Sequence, residues 1–386
     1  MEFALAEEHK AFRKVLHEWV DREVPKSVAR ELEAREFEYP HELWDKMTTA
    51  GFHAVGLPEE YGGQGGDVMS QVLIARELAR SLGGLTWMWG IPSFCAKSVA
   101  SFASEEVKAD LLPKLSNGKA RMAISVTEPA GGTDLLGAMK TVARPAEGGW
   151  RISGQKIWSS GAHVATHLLL LARTETGTDK PAQGVTSFLV PNPADGLTIR
   201  QIPKLGMRGF GSCEIFLDDV FVPDENVVGD VGRGFYQMLT ALNNERILVA
   251  ATCLGIIDGV LEDAVQYMKE REAFGKPIGQ FQVLQHYIAD IAMWQRQSEL
   301  LTYYAAWVQE TGQPCGVESN MAKVAVSEYA GQAADLGIQI LGGMGYAAET
   351  DMQRYWRDAR LYRIGPISNE MARNTIAESY GLPRSF

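Results

Sequence analysis

The order in which hydrophobic periodicity changes along the 386-residue chain constrains its fold more than any other feature. Residues 1–120 repeat apolar side chains three and four positions apart, as helices do. Residues 121–230 contain short runs of strand length bounded by Gly, Pro, Asn and Asp, and residues 231–386 return to the helical period. This order predicts an α+β protein with an N-terminal helical domain, a middle sheet or barrel domain and a C-terminal helical domain.

Individual elements can be placed within these blocks. The strand-length runs of the middle block, which predict an antiparallel sheet or barrel, cover residues 168–171, 185–190, 197–202 and 215–222. One apolar stripe at helical spacing opens the last block and comprises Leu239, Leu242, Val249, Cys253, Ile256, Val260 and Ala264. Further helices are predicted over 281–309 and 318–341, and glycine-rich loops over 57–66 and 342–345.

Composition narrows the class of protein. The chain has 37 Lys and Arg against 48 Asp and Glu, a net charge of −11 that argues against non-specific nucleic-acid binding and a polybasic membrane surface. No apolar run approaches the ~20 residues that span a bilayer, and the glutamates of Met1–Lys10 argue against a signal peptide. The four cysteines are far apart, so we expect no disulfide framework, no metal site and a cytoplasmic protein.

A polar, glycine-containing segment follows the first predicted strand of the middle block. This segment, Val126–Asp134, reads VTEPAGGTD. Its glycines allow backbone N–H groups to approach a ligand, and its hydroxyls supply donors and acceptors. Such groups suit the edge of a flat heteroaromatic ligand, although a decorated β-turn explains the same residues.

A tryptophan and two serines end the segment Gly154–Ser160, which reads GQKIWSS. The indole of Trp158 can cover one face of a planar cofactor, and Ser160 can hydrogen-bond to a ring nitrogen or oxygen. A strand tryptophan at the edge of the core, followed by a serine turn, is the alternative.

Two segments of the last block have the character of a phosphate site. Arg271–Gly275 (REAFG) is followed by Gln282, and an arginine beside a helix start suits a pyrophosphate. Gln339–Tyr346 (QILGGMGY) is glycine-rich but follows no predicted strand, so it is a weak Rossmann fingerprint. A solvated arginine and a helix-terminating loop are the alternatives.

In their order and spacing, these segments resemble the acyl-CoA dehydrogenase family over essentially the whole chain. The resemblance is carried by Leu57–Gly63, Thr127–Asp134, Trp158–Ser160, Arg271–Gly275, Gln339–Gly345 and Arg357–Ala359. It implies a C-terminal four-helix bundle, FAD between the middle and last domains, and a homotetramer. It also implies an acyl-CoA substrate that loses its α proton to a carboxylate and its β hydride to the flavin.

The resemblance further implies roles for individual residues. Contacts around the flavin are expected from Ile124, Val126, Thr127, Thr133, Trp158, Ser159 and Ser160. Contacts to the ADP part of a neighbouring subunit's FAD are expected from Arg271, Phe274, Gln282, Gln339, Gly342 and Gly343. Ser368 and Glu370 are expected to close the cofactor site, whereas Ala273 departs from the polar residue of many members. Substrate contacts are expected from Thr133, Leu242, Asn243, Arg246 and Gly365.

The α-proton base is not at its usual place in the family. Many members carry it as a glutamate in a Tyr-Glu-Gly-Thr segment after the Arg-Asp-Ala motif. Counting from Arg357 to Glu370 without an insertion places Pro366 at that position, and proline cannot accept a proton.

An earlier glutamate is the alternative that the resemblance offers, because some members place the base just before an arginine on a preceding helix. Here Glu245 precedes Arg246. Glu245 also lies three residues after Leu242 and four before Val249, on the apolar face of its predicted helix. We therefore predict that Glu245 is the base and that burial raises its pKa. A salt-bridged or solvated glutamate is the competing interpretation.

The expected substrate is a branched or otherwise substituted acyl-CoA. In the family, a base on the earlier helix accompanies branched or long acyl chains, and Gly365 replaces a bulky tyrosine. The resemblance implies an electron-transferring flavoprotein as the electron acceptor. Two other functions stay open: an enoyl-CoA reductase of the crotonobetainyl-CoA type, and a flavin-binding homologue without catalysis.

Overall fold

The computed structural model describes residues 5–384, apart from the side chains of residues 240 and 241, and confirms the predicted α+β order. The first block forms helices α1 (Glu7–Glu23), α2 (Lys26–Ala34), α3 (His41–Thr49), α4 (Val68–Ser81), α5 (Gly83–Phe102) and α6 (Glu105–Ser116). The side chains of Asp67 and Ser104 accept hydrogen bonds from the first turns of α4 and α6, which sets where these helices begin.

The middle block forms one sheet. Its strands are β1 (Met122–Ser125), β2 (Val142–Ala146), β3 (Gly149–Ser160), β4 (His167–Arg173), β5 (Val185–Pro191), β6 (Leu197–Ile202), β7 (Ser212–Pro223) and β8 (Val227–Val228). Their order is β6-β7-β3-β2-β4-β5-β8, with β1 beside β4. The pairs β1–β4 and β2–β4 are parallel, so the sheet is mixed where the sequence predicted an antiparallel one.

The last block contains α7 (Gly234–Glu270), the hairpin strands β9 (Glu272–Ala273) and β10 (Lys276–Pro277), and α8 (Gln282–Glu310). It continues with α9 (Gly316–Leu341), α10 (Gly343–Tyr346), α11 (Met352–Leu361) and α12 (Asn369–Glu378). Two sequence predictions are wrong in detail. Residues 343–346 form a short helix rather than a loop, and Leu239 is 39% exposed rather than part of the buried stripe.

Helices α4 and α7 cross closely and join the first and last blocks. A Cβ atom at Gly255 would lie 2.1 Å from the carbonyl oxygen of Arg76, and one at Gly259 would lie 2.6 Å from that of Arg80. Both approaches are too close for any side chain, so glycine is required on α7 there. The stripe from Val249 to Ala264 is buried in this core. Among the described helices, none is both long and apolar enough to cross a membrane.

Candidate active site

A buried ion pair organises the turn that follows β1. Glu128 accepts hydrogen bonds from the backbone N–H groups of Lys140 (2.7 Å) and Thr141 (3.0 Å) and from Nζ of Lys156 (2.8 Å). Burial alone would raise the pKa of Glu128, but the charge and hydrogen bond of Lys156 hold it below its ordinary value. All these contacts are internal, so Glu128 shapes the turn, and its residues Pro129, Ala130 and 132–134 are exposed.

Trp158 projects from the end of β3 because the strand is irregular there. The pairing of β3 with β7 shifts register between Lys156 and Ser159, and Trp158 has a φ of 63°. A left-handed conformation is unusual for a bulky residue and often marks a functional position. The indole is 56% exposed, so it offers an apolar face to a planar ligand.

The two serines after Trp158 point into the sheet. Ser160 Oγ is paired with Ser212 Oγ at 2.8 Å, and Ser159 Oγ donates to Ser125 Oγ at 3.1 Å. Ser159 is 1% exposed and Ser160 is 5% exposed, so both hydroxyls have partners within the sheet. Thr127 and the exposed Thr133 lie on the neighbouring turn, whose Thr127 carbonyl oxygen accepts from Ile157 N at 2.9 Å. Ile124 and Val126 are only partly buried beside them.

Glu245 lies near the start of α7 and is partly buried. Burial raises its pKa to about 7, while the nearby cations Arg246 and Lys323 oppose that rise. Helix α5 lies close by, because the charge of Glu245 adds to burial in raising the pKa of Cys95. The structure thus places a carboxyl group with a near-neutral pKa between α5, α7 and α9.

Lys323 ties the loop around Pro366 to α9. Its Nζ donates to the carbonyl oxygen of Ile367 at 2.6 Å and to Oδ1 of Asn369 at 2.7 Å. The lysine is fully buried, and burial lowers its pKa to about 8. Pro366 itself is exposed, and a Cβ atom built at Gly365 meets no described atom within 4 Å. The loop therefore leaves open space at Gly365, where the family resemblance places a bulky tyrosine.

The residues expected around the substrate converge only in part. Asn243 and Arg246 meet on α7, where Nη1 of Arg246 donates to Oδ1 of Asn243 at 2.9 Å. Leu242 packs against the cluster that also contains Phe94 and Met238. Ser368 caps α12 by accepting from Met371 N at 3.2 Å, so its hydroxyl has a structural role as well. Glu370 is exposed in the first turn of that helix.

The residues expected to hold the ADP part lie far from the sheet of their own chain. Gly234 at the start of α7 packs against Thr186 and Ser187, whereas Arg271 follows the last residue of α7. Helix α7 has 37 residues and therefore spans about 55 Å. Arg271, Phe274, Gln282, Gln339, Gly342 and Gly343 are all exposed. Phe274 is 95% exposed, so an uncovered aromatic side chain follows the C-terminal end of α7, close in sequence to Arg271.

Sequence reasoning missed Lys323, which shares a charge interaction with Glu245. Its signal was present in the sequence, because Lys323 lies three and seven residues before Val326 and Ala330 on the buried face of α9. A lysine on an apolar face costs free energy unless it is bonded. The sequence showed a lysine on an apolar face, but not the loop carbonyl oxygen that accepts its hydrogen bond.

Comparison with known proteins agrees with this fold. Three family models match in succession: the acyl-CoA dehydrogenase N-terminal domain over residues 6–119, the middle domain over 123–220 and the C-terminal domain over 232–381. Isovaleryl-CoA dehydrogenase of Oryza sativa is 32% identical over 367 residues, 95% of this chain and 89% of that protein. Acryloyl-CoA reductase (NADH) of Anaerotignum propionicum is 32% identical over 380 residues, which are 98% of this chain and 95% of that protein.

Solved structures are similar over the same length. Butyryl-CoA dehydrogenase from Megasphaera elsdenii has a TM-score of 0.93 and 31% identity, over 99% of this chain and 100% of that one. The FAD complex of PigA has a TM-score of 0.93 and 28% identity, over 99% of this chain and 100% of that one.

The fold and the exposed tryptophan beside a hydroxyl-bearing turn define an FAD-dependent oxidoreductase that acts on CH–CH bonds. This chain belongs to the acyl-CoA dehydrogenase family, and the predicted fold, enzyme class and cofactor are confirmed.

Proposed function

We propose that this enzyme dehydrogenates an acyl-CoA thioester whose acyl chain is branched or otherwise substituted, with Glu245 as the base. One observation carries the proposal. The partly buried carboxyl group of Glu245 has a pKa raised to about 7, in a chain with proline at position 366. A general base works best when its pKa lies near the operating pH, because it is then both deprotonated and basic enough.

Two cations support this role. Arg246 and Lys323 favour the charged form of Glu245, so a substantial fraction of Glu245 is deprotonated at neutral pH. After proton transfer Glu245 is neutral, and the positive charges of Arg246 and Lys323 would then favour the negative charge that develops on the substrate beside it. Glu245 thus removes the α proton from a substrate that lies between α5, α7 and the loop around Pro366.

The middle domain supplies the groups proposed to hold FAD, which provides the acceptor for the β hydride. Trp158 would cover one face of the ring system, and Thr127 and Ser160 would hydrogen-bond to its edge. Thr133 would lie at the border between cofactor and substrate. The exposed indole of Trp158 and the exposed Thr133 support this assignment.

Open space supports a bulky acyl chain. A Cβ atom built at Gly365, or at Gly90 on α5, meets no described atom within 4 Å. A side chain at either position would occupy this space. We infer that the glycines leave room for a branch or a substituent, which favours such substrates over short linear ones.

A homotetramer would complete the cofactor site. Arg271 and Phe274 lie a helix length of about 55 Å from the sheet of their own chain, so the FAD they contact must belong to another subunit. Helix α8 also exposes Met293, Leu300 and Trp307, spaced seven residues apart on one face. A second copy would cover this face. An electron-transferring flavoprotein is the electron acceptor that we propose.

Anaerobic bleaching of the bound flavin by acyl-CoAs tests the function. Branched substrates should reduce the flavin faster than linear ones of equal length. Glu245→Gln should retain flavin but reduce it about 10²- to 10⁴-fold more slowly. Glu349→Gln, at an exposed position, is the matched control and should react normally. Normal reduction in Glu245→Gln would refute the role of Glu245.

A reductase is the second candidate, favoured by the similarity to acryloyl-CoA reductase (NADH) of Anaerotignum propionicum. In that direction Glu245 would donate a proton to the α carbon after hydride addition. An enoyl-CoA should in that case reoxidise reduced flavin rapidly, whereas saturated acyl-CoAs should bleach oxidised flavin slowly. Comparing the two rates on one preparation decides the direction.

A further inference from the structure

Lys97 of α5 is a partly buried cation that has no counter-ion among the residues that the structure describes. Its Nζ donates to Oε1 of Gln71, a neutral amide. Among the residues that the structure describes, no carboxylate lies within ion-pair distance of it. Burial lowers its pKa to about 8, so it is largely charged at neutral pH. A buried charge that lacks a paired anion is costly and calls for a functional explanation.

Ser93, one turn earlier on α5, is also unsatisfied. It is 5% exposed, and its Oγ has no hydrogen-bond partner within residues 5–384. Gly90, Ser93 and Lys97 are spaced three and four residues apart, which places them on one side of the helix. Gly90 borders open space on that side. A cation, a free hydroxyl and room for a ligand therefore coincide.

This face of α5 adjoins the proposed base. Oε1 of Gln71 also accepts from Nδ2 of Asn244 at 3.4 Å, and Asn244 immediately precedes Glu245 on α7. A ligand that contacts Lys97 and Ser93 would thus lie near Asn244, the residue that precedes the proposed base.

We propose that Ser93 and Lys97 form a subsite for a carboxylate carried by the acyl chain, so that the substrate is a dicarboxylic acyl thioester. This inference rests on the proposed dehydrogenation and specifies its substituted acyl chain. The carboxylate would accept hydrogen bonds from Nζ of Lys97 and Oγ of Ser93. It would supply the counter-ion that Lys97 lacks among the described residues. Charge-assisted hydrogen bonds of this kind are stronger than those between neutral groups.

The test compares dicarboxylic mono-CoA thioesters with monocarboxylic thioesters of equal chain length, for example adipyl-CoA with hexanoyl-CoA. The readout is the ratio of their kcat/KM values for flavin reduction in the holoenzyme. Wild type should favour the dicarboxylic member. Lys97→Met should lower that ratio about 10- to 100-fold with little change on the neutral substrate, and Ser93→Ala should lower it less. Lys97→Arg, which keeps the charge, should retain part of the preference.

Lys114→Met on the surface of α6 is the control and should leave the ratio unchanged. If wild type favours the neutral member, or Lys97→Met and Ser93→Ala both leave the ratio unchanged, the subsite does not exist. Should Lys97→Met fail to fold, Ser93→Ala and the wild-type preference still decide the matter. Reduction by neutral thioesters only would overturn the subsite and leave the dehydrogenase proposal intact. Failure of every thioester would overturn both.

Discussion

The ammonium group of Lys323 lies 2.6 Å from the carbonyl oxygen of Ile367, and this hydrogen bond ties helix α9 to the loop that contains Pro366. The same cation interacts with Glu245. One buried side chain thus connects the loop that normally carries the base in the family to the carboxylate that we propose as its replacement.

Lys323→Met is expected to raise the pKa of Glu245 above about 7, because the cation favours the charged carboxylate. Since the base acts only when deprotonated, the pH of half-maximal flavin reduction should move upward. Stopped-flow reduction between about pH 5.5 and 9 would measure it. Lys323→Arg should keep the original profile, and an unshifted profile in Lys323→Met would show that the lysine only supports the loop.

Trp158→Ala should weaken FAD binding by about tenfold, or about 1.4 kcal/mol, through loss of the exposed indole surface. Titration of apoprotein with FAD, followed by flavin fluorescence, gives the Kd. Trp356→Ala removes another exposed indole, on α11, and should leave the Kd unchanged. Equal affinities in all three proteins would rule out stacking on Trp158.

Glu128→Gln should lower the free energy of unfolding at pH 7 by about 3 kcal/mol, because Lys156 would remain buried without its anion. The folded-state pKa of Glu128 is lowered, so its contribution is complete above the unfolded pKa of about 4.3 and disappears as pH falls through the folded value. Urea unfolding at pH 7 and about pH 3.5 should therefore show a smaller difference from wild type at the acidic pH. The exposed Glu147→Gln provides the comparison, and a penalty that does not shrink in acid would contradict the ion pair.

Arg271→Ala should lower flavin occupancy without changing the stability of the chain, because this exposed residue is proposed to contact FAD of another subunit. Light scattering should give a tetramer for wild type, and the absorbance ratio of flavin to protein should fall in the variant. Lys269→Ala, in the last turn of α7, is the control. A flavin-saturated monomer would contradict the shared site.

Much of the fold was open to prediction from the sequence because helices and strands bury side chains at different spacings. That spacing predicted the three blocks, the strand-length runs and the position of Glu245 on an apolar face. It failed at Leu239, since residues at a helix start can keep the apolar spacing yet lie outside the core. It also failed at 343–346, where glycines that usually end helices form a short one.

The sequence by itself determined which chemistry was possible: proline at 366 removes a carboxylate, and Glu245 retains one beside Arg246. Only the tertiary structure decided which groups meet. It brings Lys323 to Ile367 across 44 residues and Gln71 to Asn244 across 173. It also turns Trp158 outward through an irregular strand. Periodicity reports the burial of each residue along its own element, whereas the partners of a buried polar group depend on how separate elements pack.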